Sequence, residues 1–500
     1  MKKIKNLYKI AMLLFVVTAV ISCSKDDSGK EAKLVVSTDK AVFEPEGGVI
    51  EFTIDSNAKW KIENSNEWVK IDQIAGDDGT TTVALTAVKN LTTISNLAVI
   101  RISADNGQAR RITINQPPYL YPSFNTSPIA PDATGMGSTA TEINAGIKLG
   151  INIWNTMETP GDETTWGNPK ITQNLITVLK SAGFNAVRIP CQYWVSHADH
   201  ATGKIDDTWL NRLKEVVQYC VNEDMYVLVN DHHDGFSDFK ATGGQLDSIK
   251  AIQKIIWQQV ATKLRDFDEK VMFASSNEPD ATTLTEVTNL HDFHQIFIDA
   301  VRSTGGKNAY RTLVLQVPNT SLDLAPFFSV GANPGLPVDK VPNKLILEFH
   351  WYSPPNFCIL GGDASWGREW RYWGKNYKST TDPLHNSDAG LEEDYMESTL
   401  LLARQRFVDK GIPLMMGEFG VQYHADHCPT PADSLLSLKS TAHFYAHVVK
   451  TARANKISPF LWAGVINRVT ETLDNPRDLD SLRSGAELPL LYGKQVNKKK

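Results

Sequence analysis

Over the first quarter of the chain, apolar and polar residues alternate with the period of two that marks strands. Leu34 with Val36, Phe52 with Ile54, Trp60 with Ile62, Val69 with Ile71, Val83 with Leu85, Ile100 with Ile102 and Ile112 with Ile114 each share one face of a short run. Turn residues separate the runs: Pro45, Gly47 and Gly48, then Gly76 to Gly79, then Asn106 and Gly107. The pattern predicts a small all-β, immunoglobulin-like sandwich over residues 31–117. Trp60 and Trp68 stand at strand positions where packing in the core is the default, so neither is expected to act as a sugar platform. Residues 118–139, with Pro122, Pro128 and Pro131 among Ser, Asn and Thr, read as a stiff linker without a core.

From residue 140 the pattern changes. Eight short apolar runs (149–153, 186–189, 226–229, 271–274, 311–316, 345–349, 413–416 and 459–462) are separated by stretches of helical periodicity. Ile171, Leu175, Val178, Leu179 and Ala182 share one helix face, and Leu210, Leu213, Val216, Val217 and Cys220 another. Strand alternating with helix eight times predicts an α/β fold, a (β/α)8 TIM barrel over residues 140–490, followed by a basic tail at 491–500.

The composition of the 500 residues, 42% hydrophobic with 32 Gly and 24 Pro, excludes a disordered, collagenous or coiled-coil chain. With 51 basic against 57 acidic residues and no basic block before Lys498 to Lys500, nucleic acid is not an expected partner. The N-terminus carries Lys2, Lys3, Lys5 and Lys9, then an uncharged run from Ile10 to Ile21, then Ser22 and Cys23. That run is too short to span a bilayer and fits a secretory signal. Its end resembles the lipobox of bacterial lipoproteins, which implies a signal peptide over 1–22, acylation of Cys23 and a tether over 23–30. Ser24, Lys25, Asp26 and Asp27 resemble the export signal of Bacteroidetes surface lipoproteins, so the expected address is the outer membrane, held by lipid and facing outward. Without residues 1–22 the net charge is −10, suited to solubility. The sandwich segment resembles the BACON domain in its two Trp residues, its acidic Gly-rich turn, Arg101 and the closing Ile114 to Gln116.

Four cysteines remain, Cys191, Cys220, Cys358 and Cys428, which allow three pairings. Cys358 and Cys428, in neighbouring loops at the barrel top, are the favoured pair. No C-x-x-C spacing supports zinc. His291 with His294 and His443 with His447 lack the H-E-x-x-H carboxylate, and His424, His427 and Cys428 form only a loose cluster, so no metal is expected.

In a TIM barrel, function sits at the C-terminal ends of the strands. Those ends carry Asn152 and Asn155; Arg188; His232, His233 and Asp234; Asn277 and Glu278; His350 and Tyr352; Glu418; and Trp462. Polar or aromatic residues converging from seven strands are hard to assign to helix capping. Glu278 and Glu418 stand after the fourth and seventh strands, and two facing carboxylates are what retaining glycoside hydrolysis needs. Arg188 is expected to keep Glu418 ionised, whose charge would raise the pKa of Glu278 and keep it a proton donor.

The ordered segments Val187 to Pro190, Asn230 to Asp234, Asn277 to Pro279, His350 to Tyr352, Gly417 to Gly420 and Trp462 resemble the signature of glycoside hydrolase family 5. The resemblance implies Glu278 as acid/base, Glu418 as nucleophile, Arg188 orienting it and Asn277 bonding the sugar 2-hydroxyl. His232, His233, His350 and Tyr352 would line the subsite of the attacked sugar, with Trp462 as its platform and Asn155 among the substrate-binding residues. Asn155 to Glu158, with Glu163 to Pro169, is similar to the fourth subfamily, whose members are endo-β-glucanases. Three departures stand out: Trp154 in place of Gly, Ser276 before Asn277, and Ala463 to Asn467 after Trp462.

The expected protein is therefore a monomeric, retaining endo-β-1,4-glucanase on xyloglucan, mixed-linkage β-glucan or cellulose. The rival readings are an endo-β-mannanase or xylanase with the same mechanism, and a non-catalytic glycan-binding lipoprotein. No cofactor is implied, because side chains supply both the proton and the nucleophile. The loop after the sixth strand holds Trp351, Phe357, Trp366, Trp370, Tyr372, Trp373 and Tyr377, aromatic rings that suit a polymer. Cys23→Ser should move the protein from the membrane fraction of the producing cell to the soluble fraction; unchanged retention would end the lipid-anchor reading.

Overall fold

A computed structural model describes residues 31–493 with the exception of position 93. The signal peptide, Cys23, the tether and most of the basic tail lie outside the described residues. Two compact units emerge, one ending at Gln116 and one made of Asn90–Ser95 and Pro117–Lys500.

In the first unit a four-stranded sheet and a five-stranded sheet pair almost wholly antiparallel. Alternation decides which side chains face the core: along Asn96–Ala104, Ala98, Ile100, Ile102 and Ala104 are buried while Leu97, Val99 and Arg101 are exposed. Trp60 is 2% exposed, and Trp68, half-buried, packs edge-on against Phe43 with ring centroids 6.3 Å apart. Neither ring is laid open as a flat platform.

The second unit is a closed barrel of eight parallel strands: Gly150–Asn152, Ala186–Cys191, Tyr226–Asp231, Val271–Ala274, Leu313–Gln316, Leu345–Trp351, Leu414–Phe419 and Ser458–Leu461. Each overlaps one of the apolar runs. Residues 118–139, expected as a linker without a core, belong to this unit. Tyr121 and Phe124 pack against the barrel's core, the Phe124 amide donates to Gln258, and Ser138 bonds Glu269. Two aromatic residues among the prolines give the stretch an apolar anchor that composition alone hides.

Strand alternation divides the barrel wall. Val187, Ile189, Val227, Val229, Leu347 and Phe349 face the helices, whereas Ala186, Leu228, Met272, Val314, Ile346, Met415 and Phe460 fill the lower interior. The short helix Ala140–Gly146 contributes Ala140 and Ile143 to that interior cluster. Thr139 fixes its start by a capping box with Glu142. One inward step above this apolar layer stand Asn152, Arg188, Gln316 and Glu348, all buried. The barrel thus passes from oil at its base to charge near its mouth.

Candidate active site

Arg188 lies at the centre of the polar layer with no exposed surface. Its Nη1 donates to Glu418 Oε1 and to Asn152 Oδ1, each at 2.9 Å, and its Nη2 donates to Asn277 Oδ1 at 2.9 Å. Asn152 in turn donates to the carbonyls of Gly417 and Leu461 at 2.9 and 3.2 Å, tying the first strand to the seventh and eighth. Tyr352 donates its hydroxyl to Glu418 Oε2 at 2.9 Å. Both oxygens of this nearly buried carboxylate are therefore held.

A register shift aims Glu418. Phe349 pairs with Met416 but His350 pairs with Glu418, so Gly417 is an extra residue in the seventh strand. Met415 faces the interior and Met416 the helices; the bulge at Gly417 turns the next side chain to Arg188 and the cleft rather than outward. A Cβ at Gly417 would stand 1.9 Å from Glu348 Oε1, so any larger residue there would displace the Glu348 side chain. Gly420 is constrained in the same way by the Trp462 carbonyl, 2.4 Å from where its Cβ would be.

Glu278 follows the fourth strand with φ +37°, a backbone setting rarely adopted by a side-chain-bearing residue and one that gathers at functional sites. Its side chain is 49% exposed to the cleft and bonds His350 Nδ1 at 2.8 Å. His350 stands 3.6 Å from Glu418 through the same nitrogen, and its Nε2 bonds Glu348 Oε1 at 3.2 Å. Glu278, His350 and Glu418 present donor atoms within 4.8 Å of one another. A cation could use that spacing, but here each group is bonded to protein partners and Arg188 supplies the positive charge. Ser276, one of the departures, donates its backbone N–H to Gln316 Oε1 at 3.0 Å, and Gln316 donates to Glu348 at 2.7 Å.

The direction of the pKa shifts reverses the sequence expectation for the two carboxylates. The hydrogen bond from His350 holds Glu278 below its ordinary value, outweighing the desolvation that opposes it. Burial pushes Glu418 up, against the pull of His350 and Arg188. For His350 burial disfavours the charge, but the Glu418 charge and the bonds to Glu278 and Glu348 outweigh it and raise its pKa to about 9. The sequence expectation counted Arg188 and the two carboxylates and left out a cationic imidazole between them.

His232 stacks on Trp462, centroids 5.6 Å apart and planes 13° from parallel, and burial holds this imidazole neutral, well below its usual value. His233, with φ +60°, meets the half-exposed Trp166 edge-on at 5.8 Å. Asp234 anchors their loop by accepting the backbone amides of Tyr193, Trp194 and Val195. Asn155 also has positive φ, and its amide is held by the buried Glu158. Among the described residues its side chain shows no bond to the Arg188 network, whereas His232, His233 and Trp462 are joined to one another by ring contacts.

Sequence reasoning missed Glu348 and Gln316 and undervalued Asn152. The signal for Glu348 was a lone acid inside an otherwise apolar strand, in register with His350. Other expectations fail. Cys358 and Cys428 are free thiols, as are Cys191 and Cys220; Cys428 donates instead to the His424 carbonyl. Trp351 ends the sixth strand and is buried; of the six other aromatic residues expected in the loop, Phe357, Trp370, Tyr372 and Trp373 are buried and build it, and Trp366 alone is largely exposed, at 59%. His424 and His427 converge on the buried Glu369 at 2.9 and 2.7 Å, bracing that loop. Ala463 to Val469 and Trp154 line a crevice of about 310 Å³, with Arg468 donating to the Trp154 carbonyl at 3.1 Å.

With this geometry in view, the profile of the cellulases, glycosyl hydrolase family 5, matches residues 148–467. The chain belongs to that family. A xyloglucan-specific endo-β-1,4-glucanase of Bacteroides ovatus is 31% identical over 95% of this chain and 95% of its own length. Endoglucanase A of Paenibacillus barcinonensis is 31% identical over 73% of this chain and 94% of its own. Among solved structures, a B. ovatus family 5 xyloglucanase in complex with a XXXG heptasaccharide superposes with a TM-score of 0.66 at 28% identity, covering 92% of this chain and all of that one. A broad-specificity endoglucanase of Ruminococcus champanellensis with bound cellotriose gives 0.57 at 27% identity, covering 69% and 98%. Glycoside hydrolysis is thus the family's chemistry, and the bulge at Gly417 offers a direct probe of it. Gly417→Ala would force the Glu348 carboxylate aside and disturb the mount of Glu418. A misplacement of about 1 Å costs roughly 10²-fold, so kcat on β-glucan should fall by about that factor with a smaller change in KM, measured by reducing-end release.

Proposed function

We propose that the protein is a retaining endo-β-1,4-glucanase that cleaves xyloglucan or a related plant cell-wall β-glucan, with Glu418 as nucleophile and Glu278 as acid/base. One observation carries the mechanism: one oxygen of Glu278 and one of Glu418 lie within 4.8 Å of each other beside His350, closer than the gap in which an inverting pair holds its water. Retaining enzymes hold the pair about 5 to 5.5 Å apart, while inverting ones leave roughly 6.5 to 9.5 Å for a water. The polymer is argued from the relatives named for xyloglucan and broad β-glucan activity, and from the exposed Trp166 and Trp366 and the partly exposed Trp462 in loops on the C-terminal side of the barrel.

Glu418, held by Arg188 and Tyr352, attacks the anomeric carbon. Glu278 gives its proton to the departing oxygen and then takes one from the water that hydrolyses the glycosyl enzyme. Although the ligand-free site draws the shared proton toward His350, the 2.8 Å bond lets it return to Glu278 without changing the charge of the pair. Asn277 spends its carbonyl oxygen on Arg188 and keeps its amide N–H groups for the sugar 2-hydroxyl. Trp462, backed by His232, serves as the pyranose platform. The fourth-subfamily assignment, the BACON-like sandwich and the outer-membrane address through a lipid on Cys23 belong to the same reading, supported by the sequence motifs.

The purified protein should release oligosaccharides from xyloglucan or mixed-linkage β-glucan faster than from mannan or xylan, as product sizing over a polysaccharide panel would report. The two glutamates are separated by azide rescue on an activated aryl β-glycoside. Glu418→Gly should be near background alone and yield an α-configured glycosyl azide with azide. Glu278→Ala should accumulate glycosyl enzyme and yield the β-configured azide, and should lose about 10²- to 10⁴-fold on the natural polymer, where acid help is needed. The same anomer from both variants would overturn the assignment.

A further inference from the structure

We propose that Glu348 is a positioning residue for the reaction: from beneath the catalytic pair it fixes His350 with a proton on Nε2, so that the imidazole's other nitrogen shares the working proton with Glu278. This rests on the acid/base role proposed for Glu278. The geometry comes first. Glu348 is fully buried on the sixth strand, two residues below His350 on the same inward face. Its Oε1 receives His350 Nε2 at 3.2 Å, and its Oε2 receives the Gln316 amide at 2.7 Å. Arg188 Nε stands 3.1 Å from Oε1 with its N–H off line, a charge contact rather than a hydrogen bond. Surrounded by a guanidinium and two N–H donors, this carboxylate stays ionised, and its pKa is lowered by Arg188 and His350 despite the desolvation that opposes them.

An ionised Glu348 can only accept, so His350 Nε2 must carry hydrogen. The bond between His350 Nδ1 and Glu278 Oε1 then contains the one mobile proton, placed on nitrogen or on oxygen. A carboxylate that orients a histidine so that the histidine can serve a third group is the logic of a catalytic triad, here with a carboxyl group as the third member. The imidazole faces Glu278, Glu348 and Glu418 as anions, Arg188 as a cation and His232 as a neutral ring. Three negative groups against one guanidinium favour a protonated ring, so the proton is retained as pH rises and lost only as it passes through the raised pKa of about 9. Gly417 supplies a second observation, because the chain leaves out a side chain there and the Glu348 carboxylate fills the space.

Glu348→Gln tests this in the full chain. The glutamine keeps the shape but removes the anion. Its one amide oxygen can accept from His350 or from Gln316 but not from both, so its NH2 meets a donor at the other. On xyloglucan, kcat should fall roughly 10- to 100-fold at pH 7 with KM nearly unchanged, and the basic limb of the kcat/KM profile should move down by about one unit or more. Formation of the glycosyl enzyme from an activated aryl substrate, which needs no acid, should be nearly unaffected. Nitrogen-15 spectra of the wild-type histidines, with His350 identified by its loss in His350→Gln, should show Nε2 protonated throughout and a ring titrating near 9. A wild-type ring titrating near 6.5, or lacking hydrogen on Nε2, overturns the inference even if Glu348→Gln fails to fold, as does an unchanged basic limb in the variant. If either occurs while azide rescue still gives opposite anomers, only the role of Glu348 falls; a failed rescue removes the mechanism on which it rests.

Discussion

A guanidinium with no route to water is costly unless every direction around it is answered. Arg188 is such a group, and much of the upper barrel is arranged as its answer: Glu418 and Asn152 on one nitrogen, Asn277 on the next, Glu348 beside the third. Because these partners come from the first, fourth, sixth and seventh strands or the residues just after them, the ion at the centre joins strand ends that backbone ladders link only to their neighbours. The requirement runs downward too. Ala186 lies beneath Arg188 and Ile346 beneath Glu348, so the charged layer rests on a packed apolar floor that holds water out from below.

This arrangement explains two glycines and one departure. Gly417 gives Glu348 its space and, as the extra residue of a bulge, turns Glu418 inward; Gly420 lets the chain pass under the Trp462 carbonyl. Ser276 offers both its backbone N–H and, at 3.3 Å, its hydroxyl to the Gln316 oxygen that faces away from Glu348. These are backbone and small-residue features, yet each is set by where a buried charge has to be.

The barrel was legible because its alternations are long and repeated: eight apolar runs at helix-length intervals leave few other architectures. The site residues were legible because they fall at strand ends in fixed order, where Arg188, Asn277, Glu278, His350, Tyr352 and Glu418 converge. What stayed hidden depends on three-dimensional neighbours. Glu348 interrupts an apolar strand and carries no motif of its own, and only the inward register shared with His350 reveals its use. The direction of the Glu278 and Glu418 shifts turns on a proton that sequence does not display. Cys358 and Cys428 were judged by loop adjacency, which says nothing of whether two sulfurs meet. The aromatic loop was read by composition, and composition cannot separate rings that bind from rings such as Trp373 and Phe357 that pack.

The charge count gives the network its final sense. In the proposed mechanism one proton is shared between His350 and Glu278 before reaction, so Arg188 and that neutral pair face the anions Glu348 and Glu418, and one negative charge is in excess. In the glycosyl enzyme that this mechanism forms, Glu418 is an uncharged ester and the shared proton has left with the departing oxygen, so Glu278 becomes the second anion beside a neutral imidazole. The buried charge is the same in both states, so the low-dielectric pocket need not stabilise a net change between them, and the negative charge moves between two carboxylates that share one imidazole. Removing Glu348 or Arg188 would shift the charge of both states alike, and removing His350 would take away the group through which the two carboxylates share it. Glu348, Asn152, Gln316 and Ser276 stand behind the groups that carry this charge, and what they fix is where those groups sit.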